Sequence, residues 1–145
     1  MGVSSDKVIH YSLNEINTSS KVFKLFMQEL INKLTKDEKK NSIFIMDNCS
    51  CHLTRDLFEF YHENKLKVLF NIPYMSNFNL IENVFGLLKN YSYKKLYKNY
   101  KGLMKDIPKI IDEKIKSEQL KKIYKKTLIE YYNFILENKI FNLNK

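Results

Sequence analysis

Asp47 closes an apolar run, Ile43 to Met46, and Asn48, Cys49, Cys51 and His52 follow it within five residues. A carboxylate there is either a plain strand-end residue or a ligand for a hard cation, which takes oxygen donors. Two thiols and an imidazole so close together suit a soft metal or a redox pair. Cys-x-Cys-His by itself, however, offers only three crowded ligands. His10 and His62 stand apart in the sequence and build no second cluster. The other carboxylate of interest is Glu82, with thirty-four residues between it and Asp47. Seven residues are close to two helical turns, so on a helix Lys89 lies almost above Glu82, with Gly86 between them. That face presents a carboxylate, a gap and a cation toward a phosphate.

These side chains need a packed frame, and the apolar spacing predicts one. Residues 7–13, KVIHYSL, read as a strand with mixed alternation. Thr18, Ser19 or Ser20 can cap a helix over 20–34, with Val22, Phe23, Phe26, Leu30 and Leu34 as its apolar face. TKDEKKN reads as a charged turn, and residues 42–47 read as a buried strand. Thr54 is placed to cap a helix over 55–64 with Leu57, Phe58 and Tyr61 inward. Residues 66–72, LKVLFNI, read as a further strand, which Pro73 interrupts. After the loop PYMSNFN, a helix over 79–91 turns Ile81, Val84, Phe85 and Leu88 to a core. Beyond Tyr91 the chain reads as helical and basic, punctuated by Gly102 and Pro108, with a last amphipathic helix over 117–138. Strands alternating with helices imply an α/β fold with parallel pairing in part of a sheet. Ligands of such sheets gather at the carboxyl ends of strands, where Asp47 sits.

The chain has 145 residues, which suits one domain, and 44% of them are hydrophobic, enough for a core. Three Gly and two Pro argue against an all-β fold. The net charge is +9, and all of the excess lies in residues 89–126, which hold thirteen Lys against four acids. Lysines interleaved with Tyr91, Tyr93, Tyr97 and Tyr100 suit a phosphate backbone with rings for stacking. They equally suit a solvated helical surface whose tyrosines pack inward. No apolar run is long enough to span a bilayer, and the N-terminus has no signal-peptide pattern. Two cysteines one residue apart build no disulfide framework, so a reducing interior is expected: the nucleus in a eukaryote, otherwise the cytoplasm.

Two stretches together, IFIMDNCSCH and NIPYMSNFNLIENVFGLLK, resemble the catalytic domain of Tc1/mariner and IS630-type transposases, the DDE group of the ribonuclease H-like superfamily. That family has a strand ending in Asp-Asn with a His a few residues on. A Pro-Tyr-Ser-Pro-x-Leu-Asn-Pro-Ile-Glu segment then opens a helix. Asp47, Asn48 and His52 match the first element; Pro73, Tyr74, Asn79, Ile81 and Glu82 match the second, followed by Asn83, Val84, Phe85 and Lys89. Met75 and Ser76 stand where Ser-Pro is usual, Leu80 replaces the second Pro, and Phe85 replaces a common Trp.

The resemblance implies an α/β, ribonuclease H-like fold with an incomplete mixed sheet. It implies a partial catalytic core over residues 1–92 and a helical, basic extension of the same domain over 93–145. The implied chemistry is cleavage and strand transfer of DNA in transposition, assisted by Mg²⁺ or Mn²⁺. Asp47 and Glu82 are the implied catalytic metal ligands, with Asn48 and His52 supporting them. Lys89, Lys94, Lys95, Lys98 and Lys101 are the implied DNA contacts. The family's first Asp ends an earlier strand that lies beside the one ending at Asp47. Residues 2–23 resemble the family's third strand and following helix, so that Asp is expected to precede Met1, and Asp6 is out of place in the pattern. The expectation is therefore an N-terminally truncated, impaired enzyme with an unpaired strand edge. Its partners would be DNA and either a second copy or a complementing N-terminal fragment. The alternatives are a non-enzymatic DNA-binding or assembly module, or an inert pseudogene product. In this reading Cys49 and Cys51 pack as small apolar residues, and His52 orients Asp47 or caps the next helix.

Overall fold

The computed structural model describes residues 1–14, 18–73, 75, 78–93, 97 and 99–137. Two short strands, β1 (Gly2–Val3) and β2 (Val8–His10), pair antiparallel at the start of the chain. The predicted strand over 7–13 is thus shorter, and its partner is a strand the sequence pattern did not disclose. Helix α1 (Ser20–Asn32) follows, and Ser19 is its cap, its side chain accepting from the Val22 N–H. The charged turn is a correction: residues Lys36–Asn41 form helix α2. Thr35 accepts from the Glu38 N–H at 3.1 Å while the Glu38 carboxylate accepts from the Thr35 N–H at 2.8 Å. This reciprocal pair satisfies two amide donors and starts a helix where composition alone reads as a turn.

Strand β3 (Ile43–Met46), a 3-10 turn (Ser50–His52), helix α3 (Arg55–Glu63) and strand β4 (Lys67–Phe70) come next. β3 and β4 run parallel, with Ile43 opposite Lys67 and Met46 opposite Phe70. A parallel pair needs a crossover, and α3 supplies it. Thr54 holds the cap position of α3, but its hydroxyl makes no capping bond. The inward residues of α3 are Leu57, Phe60 and Tyr61, whereas Phe58, expected inward, is 48% exposed. Positions i, i+3 and i+4 form the true face.

Helix α4 (Leu80–Tyr93), α5 (Tyr100–Lys114) and α6 (Ser117–Glu137) complete the described chain. Gly102 and Pro108 do not break it; both lie inside α5. Asn99 caps α5 by accepting from the Gly102 N–H at 2.9 Å, which makes Gly102 a first-turn residue. On α4, Val84 is fully buried and Leu87 and Leu88 pack beside it, a face rotated from the one predicted. On α6 the buried positions are Leu120 and Thr127, with Ile123 partly buried, while Tyr124, Leu128 and Tyr132 are exposed. They do not cover the core.

Two cores result. One joins β2, α1, β3, α3 and β4 through Met27, Leu30, Ile31, Met46, Leu57, Phe60 and Tyr61. The other joins the hairpin to the last three helices through Val84, Ile115 and Leu120, with Val3 and Val8 packed on them. β2 alternates between the two, Val8 facing one and Ile9 the other. The β3–β4 pair contributes to the first core only. Its other face is open: Ile43 is 61%, Ile45 53% and Leu69 50% exposed. The expected buried strand is thus buried on one side. Among the described residues the strands form two two-stranded sheets, one antiparallel and one parallel.

Candidate active site

Asp47 follows the last residue of β3, at the carboxyl end of the parallel pair. Its Oδ1 lies 2.8 Å from His52 Nδ1 and accepts from the Cys49 N–H at 3.1 Å. The 3-10 turn over Ser50–His52 folds the imidazole back onto the carboxylate five residues earlier. Phe23 of α1 stacks over the imidazole, with ring centroids 3.9 Å apart. Tyr61 donates to the His52 carbonyl at 3.3 Å. His52 is thus held on three sides.

The end of β4 is tied to the same region. The Asn71 N–H donates to the Met46 carbonyl at 2.8 Å, and the Asn48 side-chain amide donates to the Asn71 carbonyl. Asn71 is buried, its amide donating to the Met75 carbonyl at 2.7 Å and its Oδ1 accepting from the Ile72 N–H at 2.9 Å. A buried amide satisfied on both ends fixes the chain as it leaves the strand. Asn71 and Phe23 were missed by sequence reasoning. An Asn directly after an apolar run was the available signal for the first. Nothing in the sequence places Phe23 over His52.

Glu82 lies in the first turn of α4 and is exposed. Asn79, buried just before the helix, accepts from the Ile81 N–H at 3.3 Å through its side chain and from the Glu82 N–H at 3.1 Å through its carbonyl. Across the helix, the Asn83 amide donates to Thr127 of α6 at 3.3 Å. Lys89 is exposed, and a Cβ added at Gly86 would meet nothing within 4 Å. The face holding Glu82, Gly86 and Lys89 is therefore open, as the spacing predicted. Asp47 and His52 are in direct contact, while Asn48 bonds Asn71 at the end of the neighbouring strand; Glu82 is joined to none of them by any hydrogen bond among the described residues.

The cysteines are a correction. Cys49 is exposed, so it does not pack as a small apolar residue. Its Sγ lies 3.0 Å from that of Cys51. Burial, and next the contact with Cys49, push the Cys51 thiol up to about 11. Burial likewise pushes Tyr61 up to about 12.

The profile of the DDE superfamily endonuclease family matches residues 6–104, more than half of the chain. The chain belongs to the DDE superfamily endonuclease family. No curated protein matches the sequence significantly. Among solved structures, the chain is similar to the Mos1 transposase catalytic domain, determined with raltegravir and Mn. The TM-score is 0.68 at 15% identity, covering 88% of this chain and 72% of that one. The fold is thus ribonuclease H-like, with a helical C-terminal part.

The remaining predicted contacts divide. Lys94, Lys95 and Lys98, like Tyr74, Ser76 and Asn77, lie outside the described residues. Lys101, Lys105 and Lys109 are exposed along one stripe of α5, at spacings of four. Lys109 pairs with Glu113, and on α6 Lys122 and Lys126 pair with Glu118 and Glu130. No helix among the described residues is long and apolar enough to cross a membrane.

Proposed function

We propose that this chain binds DNA through its basic helices and holds Mg²⁺ or Mn²⁺ through Asp47 and Glu82. Taken alone, we infer that it cleaves and joins DNA weakly or not at all. The observation that carries the reading is Asp47 at the carboxyl end of a parallel strand, with one oxygen steadied by His52 and the Cys49 amide. Its other carboxylate oxygen makes no hydrogen bond among the described residues, and Glu82 is exposed, so the donors fit a hard cation. When bound, such a cation supplies charge for an attacking and a leaving oxygen of a phosphodiester. His52 and Asn48 act by fixing Asp47 and the strand ends. Lys89 and the α5 lysines neutralise phosphates. Two carboxylates give few ligands for a pair of metals, which supports the impaired activity.

The open edge and face of β3 support a further partner, a second copy or a chain segment that adds a strand. The nucleus in a eukaryote, or the cytoplasm otherwise, is the proposed location. The basic segment also fits a DNA-binding or assembly module that needs no metal. Thermal melting with Mn²⁺ separates the two: stabilisation lost in Asp47→Asn and in Glu82→Gln supports the metal site, and an unchanged midpoint supports the module. Clear cleavage or joining of DNA ends by the chain alone would overturn the impaired reading.

A further inference from the structure

Cys49, Cys51 and His52 each offer one ligand atom, and the three atoms lie within 4.8 Å of one another. Cys51 and His52 lie in the 3-10 turn and Cys49 is the residue that opens it, and the turn is held in place from outside. Tyr61 bonds its last carbonyl, Phe23 covers the imidazole, and Asp47 fixes Nδ1. The two sulfurs stand 3.0 Å apart. That lies between a disulfide, about 2.05 Å, and two thiolates on a tetrahedral zinc, roughly 3.8 Å for Zn–S near 2.3 Å. Each sulfur need move less than about an ångström to reach the second arrangement. Cys49 is exposed, so an ion has access. The tautomer that donates Nδ1–H to Asp47 carries its lone pair on Nε2, and a histidine oriented by a carboxylate is the usual form of a metal-bound imidazole.

We propose that Cys49, Cys51 and His52 bind one thiophilic d¹⁰ metal ion, with a position left open to solvent, beside the carboxylate site of Asp47. Soft thiolates select Zn²⁺ or Cu⁺ over the hard cations that take carboxylate oxygens, so the two sites sort metals by donor type. Binding releases the thiol protons to solvent and changes no oxidation state.

The test titrates the full chain with Cd²⁺ under a phosphine reductant and follows the sulfur-to-metal charge-transfer absorption. One Cd²⁺ per chain is expected, with the band lost in Cys49→Ser and in Cys51→Ser. His52→Ala and Asp47→Asn should each weaken binding about 10–100-fold, the second because it releases the imidazole. Competition then assigns the ion: displacement of Cd²⁺ by Zn²⁺ indicates zinc, and by Cu⁺ alone, copper. Circular dichroism of each serine variant checks that it folds. Absence of the band, one ion per two chains, or a band surviving in the double serine variant overturns the proposal. Glu82→Gln separates this site from the hard-cation reading, since it removes the Mn²⁺ response and leaves the Cd²⁺ band.

Discussion

Asp47 depends on its neighbours more than on its own position. His52 donates to one of its oxygens, and Phe23 and Tyr61 hold His52. Phe23→Ala should therefore weaken Mn²⁺ stabilisation without touching a ligand, and a metal titration of thermal stability would show it. It should also cost stability, about 3 kcal/mol if the site behaves as a core position. Tyr61 has a pH signature. Burial raises its phenol from the usual 10 to about 12, so the neutral form is favoured in the folded chain. Its contribution is whole below pH 10, the unfolded value, and is lost as pH rises toward 12. Tyr61→Phe should flatten the fall in melting temperature over that window; an unchanged slope would show that other groups carry it.

At the scale of elements, two helices make sharp and opposite predictions. α2 exists through the Thr35–Glu38 capping box on a six-residue, highly charged segment. Thr35→Ala should cost about 0.5–2 kcal/mol in chemical denaturation. Gly86 sits mid-helix in α4 with open space where a Cβ would go. Gly86→Ala should stabilise the chain by about 0.4–1 kcal/mol, because alanine loses less backbone freedom on folding. If DNA approaches this face closely, the same variant should bind DNA less tightly despite its greater stability. Fluorescence anisotropy on a short duplex measures that directly. The β3–β4 pair has the opposite character, since its outer face carries isoleucines and a leucine where a solvated strand would carry polar residues.

Over the whole molecule, the net charge is segregated along the chain. The first core and Asp47 lie in the charge-balanced part of the chain, and the excess lysines lie on α5, α6 and the segment before them. DNA affinity should fall steeply with salt, and Lys101→Glu combined with Lys105→Glu should make the dependence shallower by about 0.9 per lost phosphate contact on duplex DNA. Binding isotherms at several salt concentrations would test it. The exposed Ile43, Ile45 and Leu69 predict concentration-dependent self-association. Replacing Ile43 and Ile45 by Lys should reduce it in sedimentation while leaving the melting temperature nearly unchanged, because neither side chain belongs to a core.

The sequence by itself determined the chemistry-bearing residues and the order of elements. Asp47 after an apolar run, Glu82 on a helix behind a Pro loop, and Lys89 two turns later are local facts of type and spacing, and local periodicity carries them. It could not show which face of each element finds a partner. Phe58 and Phe60 both fit the apolar spacing of α3, and only the packing against α1 and the strands decides for Phe60. Gly102 and Pro108 look like breaks, yet the Asn99 cap and the packing of α5 on α4 override them. Phe23 meets His52 across twenty-nine residues of chain, a contact that only tertiary folding creates. The same folding brings two thiols and an imidazole to one point beside a carboxylate, because side-chain direction in a single turn depends on what holds that turn from outside.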